Sequence, residues 1–193
     1  MLSVFVALDA SGSMTGTPWN NAIMSLNEYI SGLQAEKIEG NVTVVGFNSL
    51  NLKTLVENQS IAYFDKLNTE AMQTGGMTPL YDVAGHVMDL AVMQGSERTV
   101  VVILTDGAEN SSREYTQAKI KSRVEQMQAK NWEVIFLGAN FDVAEYTKSA
   151  GLDMTKMRNF DINNAQQLYA MNADLTRSTM AYATVGTSMD LSK

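Results

Sequence analysis

Three near-continuous apolar runs punctuate the chain: Leu2–Leu8, Val100–Leu104 and Val134–Leu137. They are short, rich in Val and Ile, and carry no polar alternation, as expected of strands covered on both faces of a parallel sheet. Val42–Phe47 is a fourth run of this kind. Asn51–Val56 follows it after a short Asn-Ser turn, which predicts a hairpin and so an antiparallel edge strand. A brief strand is predicted around Met157–Phe160.

Between these runs apolar residues recur at spacings of three and four. Trp19, Ile23, Leu26, Ile30 and Leu33 share one helical face behind Pro18, a residue suited to a first helical turn. Leu80, Val83, Ala84, Val87, Met88 and Ala91 form a second stripe behind Thr78-Pro79. Ile120, Val124 and Met127 mark a third helix within Glu114–Lys130. A short fourth helix is expected over Val143–Ser149, and a last over Asn164–Met180, with Leu168, Met171 and Leu175 on one side. Strands alternating with helices in this order predict an α/β fold with a doubly wound, Rossmann-like, mostly parallel sheet of about six strands. The expected organisation is one domain over residues 1–183, with a loosely held C-terminal tail over 184–193. The chain starts inside its first expected strand, which argues against an extra N-terminal domain.

In such folds ligands bind beyond the carboxyl ends of the strands, where strand order reverses. Asp9 ends the first run and Asp106 ends the Val100–Leu104 run, so both carboxylates emerge at one edge of the sheet. Asp9, Ser11 and Ser13 are spaced i, i+2 and i+4. In an extended loop that spacing points three oxygens the same way, and Gly12 permits a tight bend. Oxygen donors of this kind suit a hard divalent cation, which retains some water ligands.

Composition restricts the metal chemistry further. The 193 residues include no cysteine and one histidine, His86, which excludes thiolate sites, disulfides and a multi-histidine zinc centre. His86 lies four residues after Asp82 on an expected helix and reads as a helix-face residue. The net charge of −7, with 14 scattered Lys and Arg, argues against nucleic acid as a partner. No run is long enough to span a bilayer, and Leu2–Leu8 lacks the flanks of a signal peptide, so the expected setting is the cytoplasm.

Asp9-Ala10-Ser11-Gly12-Ser13 resembles the DxSxS signature of the von Willebrand factor A family's metal-ion-dependent adhesion site. Gly75-Gly76-Met77-Thr78-Pro79-Leu80 resembles that family's second loop and Leu104-Thr105-Asp106-Gly107 its third. The three segments occur in the family's order and cover nearly the whole chain. Thr78-Pro79-Leu80 and the third-loop wording are similar to stand-alone prokaryotic or phage-like members more than to integrins. The resemblance implies that Ser11, Ser13 and Thr78 ligate a cation directly, with Asp9 and Asp106 mostly acting through water. It also implies a non-catalytic module whose remaining ligand is an Asp or Glu of a partner protein. Mg²⁺ is the expected ion, followed by Mn²⁺ and Ca²⁺. Gly12, Met77, Gly107, Glu109 and Asn110 are expected to face that partner, although Glu109 and Asn110 equally suit a solvated loop.

Each feature has a plainer alternative. Ser13, Thr15 or Thr17 could cap the first helix, Thr78 could cap the second before Pro79, and Asp106-Gly107 is a common turn pair. A Mg²⁺-dependent phosphoryl-transfer enzyme and an assembly protein with a vestigial metal site are the rival functions. Against an enzyme, position 11 is Ser where a phosphatase of the haloacid dehalogenase type has a second Asp. No lysine follows the Val134–Leu137 strand as in a receiver domain. GxGxxG and GxxxxGK loops are missing, and no Ser/His/Asp arrangement can be assembled around His86.

Overall fold

The computed structural model describes residues 1–140 and 142–192. Six strands form one sheet: β1 (Leu2–Asp9), β2 (Gly40–Phe47), β3 (Leu52–Ser60), β4 (Arg98–Thr105), β5 (Glu133–Ala139) and β6 (Met157–Phe160). Their spatial order is β3-β2-β1-β4-β5-β6. Only β3 runs antiparallel to its neighbour. The chain leaves β1 toward β2 on one side and later inserts β4 on the other. The switch point therefore lies between β1 and β4, at the carboxyl ends where Asp9 and Asp106 emerge.

Five helices cover the sheet: α1 (Thr17–Ala35), α2 (Leu80–Gln94), α3 (Gln117–Gln128), α4 (Ala144–Ser149) and α5 (Ala165–Val185). β1 shows why its run is nearly uninterrupted. Leu2, Val4, Val6 and Leu8 point into a core shared with α1 and α5, whereas Phe5 and Ala7 point into a second core shared with α2, α3 and α4. Both sides of the strand are dry, so nearly every position is apolar; the polar side chain inside the run, Ser3, is spent on a hydrogen bond to Ser96 Oγ at 3.1 Å. Each fully buried Leu, Val or Ile in these layers contributes roughly 1.5–3 kcal/mol of transfer free energy, which holds the central strands as a rigid base for the loops.

The expected fold is observed, with two differences of extent. β3 continues to Ser60 through Glu57, Asn58 and Gln59, because an edge strand with a solvated face accepts polar residues. α5 runs to Val185 and ends at Gly186, whose φ of 76° is a left-handed stop.

The tail differs more. Met189 and Leu191 are each only 2% exposed and belong to the α1/α5 core. The Leu191 N–H donates to the Thr155 carbonyl at 2.8 Å, and Lys156 Nζ donates to the Met189 carbonyl at 2.6 Å. The segment expected to be loose is thus pinned to the amino-terminal edge of the sheet by two apolar plugs and by backbone pairing; Lys193 lies outside the described residues. Among the described residues no helix is long and apolar enough to cross a membrane.

Candidate metal centre

Three loops meet above the β1/β4 crevice, and main-chain hydrogen bonds join them. The first loop follows β1, the second precedes α2, and the third follows β4. Gly75 N–H donates to the Ala10 carbonyl at 2.9 Å and Gly12 N–H to the Gly76 carbonyl at 3.0 Å, lacing the first loop to the second. Asn110 N–H donates to the Thr78 carbonyl at 3.2 Å, and Asn110 Oδ1 accepts from Thr78 N–H at 2.8 Å, lacing the second to the third. Gly76 is required on two counts. Its φ is 73°, and a Cβ there would lie 2.5 Å from Ser49 Oγ.

Asp9 sits at the bottom of the cluster and is fully buried. Its Oδ1 accepts from Ser11 N–H at 2.7 Å, and its Oδ2 accepts from Thr105 Oγ1 at 2.7 Å. Asp106 lies nearer the surface, its Oδ1 accepting from Ser13 Oγ at 2.8 Å and, more weakly, from Ser11 Oγ at 3.5 Å. The two serine hydroxyls are 3.2 Å apart. Thr78 is buried, and a Cβ at Gly107 would come within 3.4 Å of its Oγ1. Asp9, Ser11, Ser13 and Asp106 thus form one connected cluster. Thr78 is brought beside it by the laced loops, through the two bonds its main chain makes with Asn110.

The capping alternatives can be checked directly. α1 begins after Gly16 with no side-chain cap, and neither Ser11 nor Pro79 caps the turn it precedes. At the start of α2 other residues do this work: Glu109 Oε2 accepts from Tyr81 N–H at 2.8 Å, and Ser112 Oγ accepts from Asp82 N–H at 3.0 Å. Ser13 turns its hydroxyl to Asp106 instead of to a helix terminus.

Burial pushes the Asp9 carboxyl up to about 6, against the hydrogen bonds from Thr105 and Ser11, and the nearby Asp106 raises it a little further. Asp106 is also raised, first by burial. A second acid beside a buried carboxylate adds to the cost of ionising it, as Asp106 does for Asp9. Among the described residues no lysine or arginine makes an ion pair with either. No group of three or more His, Cys, Asp and Glu side chains able to hold a metal occurs among them either. The donor set here is mixed, with two carboxylates beside neutral hydroxyls. That set fits a hard divalent cation, and it fits water-mediated contact from Asp9, both of whose oxygens already accept from the protein.

Of the loop residues expected to face a partner, Gly12 is exposed and Met77 is 52% exposed, while Gly107 is half-buried. Glu109 is half-buried and turned into the fold, whereas Asn110 is exposed and lends its amide oxygen to the second loop. Glu109 Oε1 accepts from Ser111 and Ser112 N–H and its Oε2 from Tyr81 N–H and Ser112 Oγ, so one oxygen folds the third loop on itself and the other ties it to α2. Asn110 braces Thr78. Asp82 likewise accepts from the N–H groups of Arg113, Glu114 and Tyr115, which makes it a latch for the same loop and not a partner for His86.

Two supporting residues escape sequence reasoning. Thr105 orients Asp9, but a threonine closing a strand looks like strand composition. Asn48 holds the base of the first two loops, but Asn48-Ser49 reads as an ordinary turn pair.

Comparison with solved structures places the whole architecture among known folds. The chain is similar to the vWF domain of the type V pili tip protein Mfa5 from Porphyromonas gingivalis, with TM-score 0.70 and 9% identity, over 99% of this chain and 98% of that one. It is similar to manganese-loaded Plasmodium vivax TRAP protein, with TM-score 0.58 and 16% identity, over 87% and 71%. It is also similar to proximal thread matrix protein 1 from the mussel byssus, with TM-score 0.60 and 15% identity, over 93% of this chain; it spans 45% of that protein's length. No curated protein sequence matches. The family profile of the von Willebrand factor type A domain matches residues 3–174, and with the sheet order and loop placement described above, the chain belongs to that family.

Proposed function

We propose that this domain is a non-catalytic protein-binding module whose three loops hold a divalent cation, and that the cation captures an Asp or Glu of a partner protein. The observation that carries the reading is Asp9: a fully buried carboxylate beside a second acid, with hydroxyls around it and no cationic side chain paired to it. A buried charge of this kind is costly unless something positive comes to it. In this reading Ser11, Ser13 and Thr78 are direct ligands, Asp9 and Asp106 act mostly through water, and Mg²⁺ is the ion, with Mn²⁺ or Ca²⁺ as substitutes. A cation held largely by neutral hydroxyls retains positive charge with which to attract an incoming carboxylate. Gly12, Met77, Gly107 and the exposed Asn110 would border the docking partner, with Glu109 at the edge of that surface and bracing the third loop from inside. The manganese-loaded TRAP protein and the pili tip protein among the similar structures support a metal-dependent binding role over a hydrolytic one.

Calorimetric titration with Mg²⁺ and Mn²⁺ tests the metal. Saturable binding lost in Asp9→Ala and Thr78→Ala is expected, and binding indifferent to both substitutions would overturn the site. Capture of a partner from native lysate that persists only without EDTA tests the docking. Turnover of phosphoesters abolished by Asp9→Ala would replace this reading with an enzymatic one.

A further inference from the structure

Asn48, at the carboxyl end of β2, uses all of its amide hydrogen-bonding groups on three separate segments. Its Nδ2 donates to the Ala10 carbonyl at 3.1 Å and to the Gln73 carbonyl at 3.2 Å. Its Oδ1 accepts from Leu50 N–H and Asn51 N–H, both at 2.9 Å. The residue is 5% exposed, so these bonds form away from competing water. Ala10 lies between Asp9 and Ser11, and its peptide is gripped on both sides. Its N–H donates to the Phe47 carbonyl at 2.8 Å, and its carbonyl accepts from Asn48 and from Gly75.

We infer that Asn48 is a positioning residue for the cation site: its amide fixes the Ala10 peptide and the Gln73 end of the second loop, and so sets the spacing of Asp9, Ser11 and Thr78. The inference rests on the metal-site reading above. Its physical content is an asymmetry between the two ends of one amide. The oxygen end orders the β2–β3 turn, where Leu50 stands 71% exposed. The nitrogen end orders the metal loops. An aspartate at this position could still accept from Leu50 and Asn51, but it would aim a carboxylate oxygen at two carbonyl oxygens, turning attraction into repulsion. Asn48→Asp therefore separates the two roles.

The experiment is Mg²⁺ titration of the full chain by calorimetry, with thermal melts in EDTA alongside. Tyr29→Phe is the matched control, losing a buried hydroxyl bond to Thr179 at the α1–α5 contact, remote from the loops. Wild type is expected to bind Mg²⁺, Asn48→Asp to bind about tenfold more weakly or worse, and Tyr29→Phe to melt lower while binding as wild type does. If Asn48→Asp does not fold, Asn48→Ser, which keeps one donor, takes its place and is expected to bind with intermediate affinity. Wild-type affinity in the Asn48 variant, or equal weakening in Tyr29→Phe, would overturn the positioning role while leaving the metal site standing. Absence of Mg²⁺ binding in wild type would remove the metal site and this role together.

Discussion

Two carboxylates are buried at opposite ends of the same sheet, and they are accommodated in opposite ways. Glu133 opens β5 at the amino-terminal edge, where Lys156 Nζ lies 2.6 Å from its Oε2 while Ser188 Oγ and Met189 N–H donate to its Oε1. Asp9 closes β1 at the carboxyl-terminal edge, where it receives hydrogen bonds but no cation, and where the nearest charge is another acid. The first carboxylate carries its counter-charge within the chain and serves to fasten the tail. The second is left with its charge uncompensated by the protein. A carboxylate that only had to stabilise the fold would be built like Glu133.

The comparison breaks most sharply when the internal cation is removed. Lys156→Met leaves Glu133 buried without its partner and is expected to destabilise the domain by about 3–5 kcal/mol, measured by urea denaturation. Asp9→Asn is expected to act with the opposite sign. At pH 7.5 and without metal it removes an uncompensated buried charge and stabilises by about 2–3 kcal/mol, while abolishing the Mg²⁺-dependent rise in stability expected of wild type. Destabilisation of the metal-free protein by Asp9→Asn would erase the distinction between the two ends.

The pH dependence has the same origin. The Asp9 carboxyl is pushed up to about 6 in the metal-free fold from an ordinary value of 3.8, so the folded state holds its proton more tightly than the unfolded state does. Its contribution to stability is complete below about pH 4 and is lost as the pH rises through 6, by up to about 3 kcal/mol. Denaturation profiles between pH 4 and 7.5 in EDTA should show this decline, and Asp9→Asn should flatten it. Thr105→Val is the smallest perturbation. Losing the hydroxyl that donates to Asp9 is expected to cost about 1 kcal/mol and to move the midpoint of the decline to higher pH.

Legibility from sequence follows the same division between apolar and polar contacts. β1, β4 and β5 are visible because burial on both faces demands near-continuous apolar runs, and α1 and α2 because one buried face imposes helical spacing. The acids at strand ends and the serines at alternate positions are visible because they are short-range patterns. The tail is not: Met189 and Leu191 are two apolar residues among polar ones, with no periodicity to reveal that they plug a core. Glu109, Asn110, Asp82 and Asn48 escape for another reason. Each bridges segments distant in the chain, by accepting from a backbone N–H some 30 residues away or, for Asn48, by donating to the Ala10 and Gln73 carbonyls, and such contacts leave no local spacing to read. Sequence thus displays the donor atoms of the site far better than the scaffolding that aims them.

The lacing of the loops through Ala10, Gly75, Gly12, Gly76, Thr78 and Asn110 has a consequence for how such a domain diversifies. Most of those bonds run between main-chain atoms, which every residue type but proline supplies in full. Ser13 and Thr78 are therefore held in place with many residue types possible at Met77, which is half exposed, while Gly76 beside it stays glycine. Mutation can rewrite the contact surface one residue at a time without disturbing the donor atoms beside it. Under the proposed function, a domain built this way could change its partner while keeping its ion.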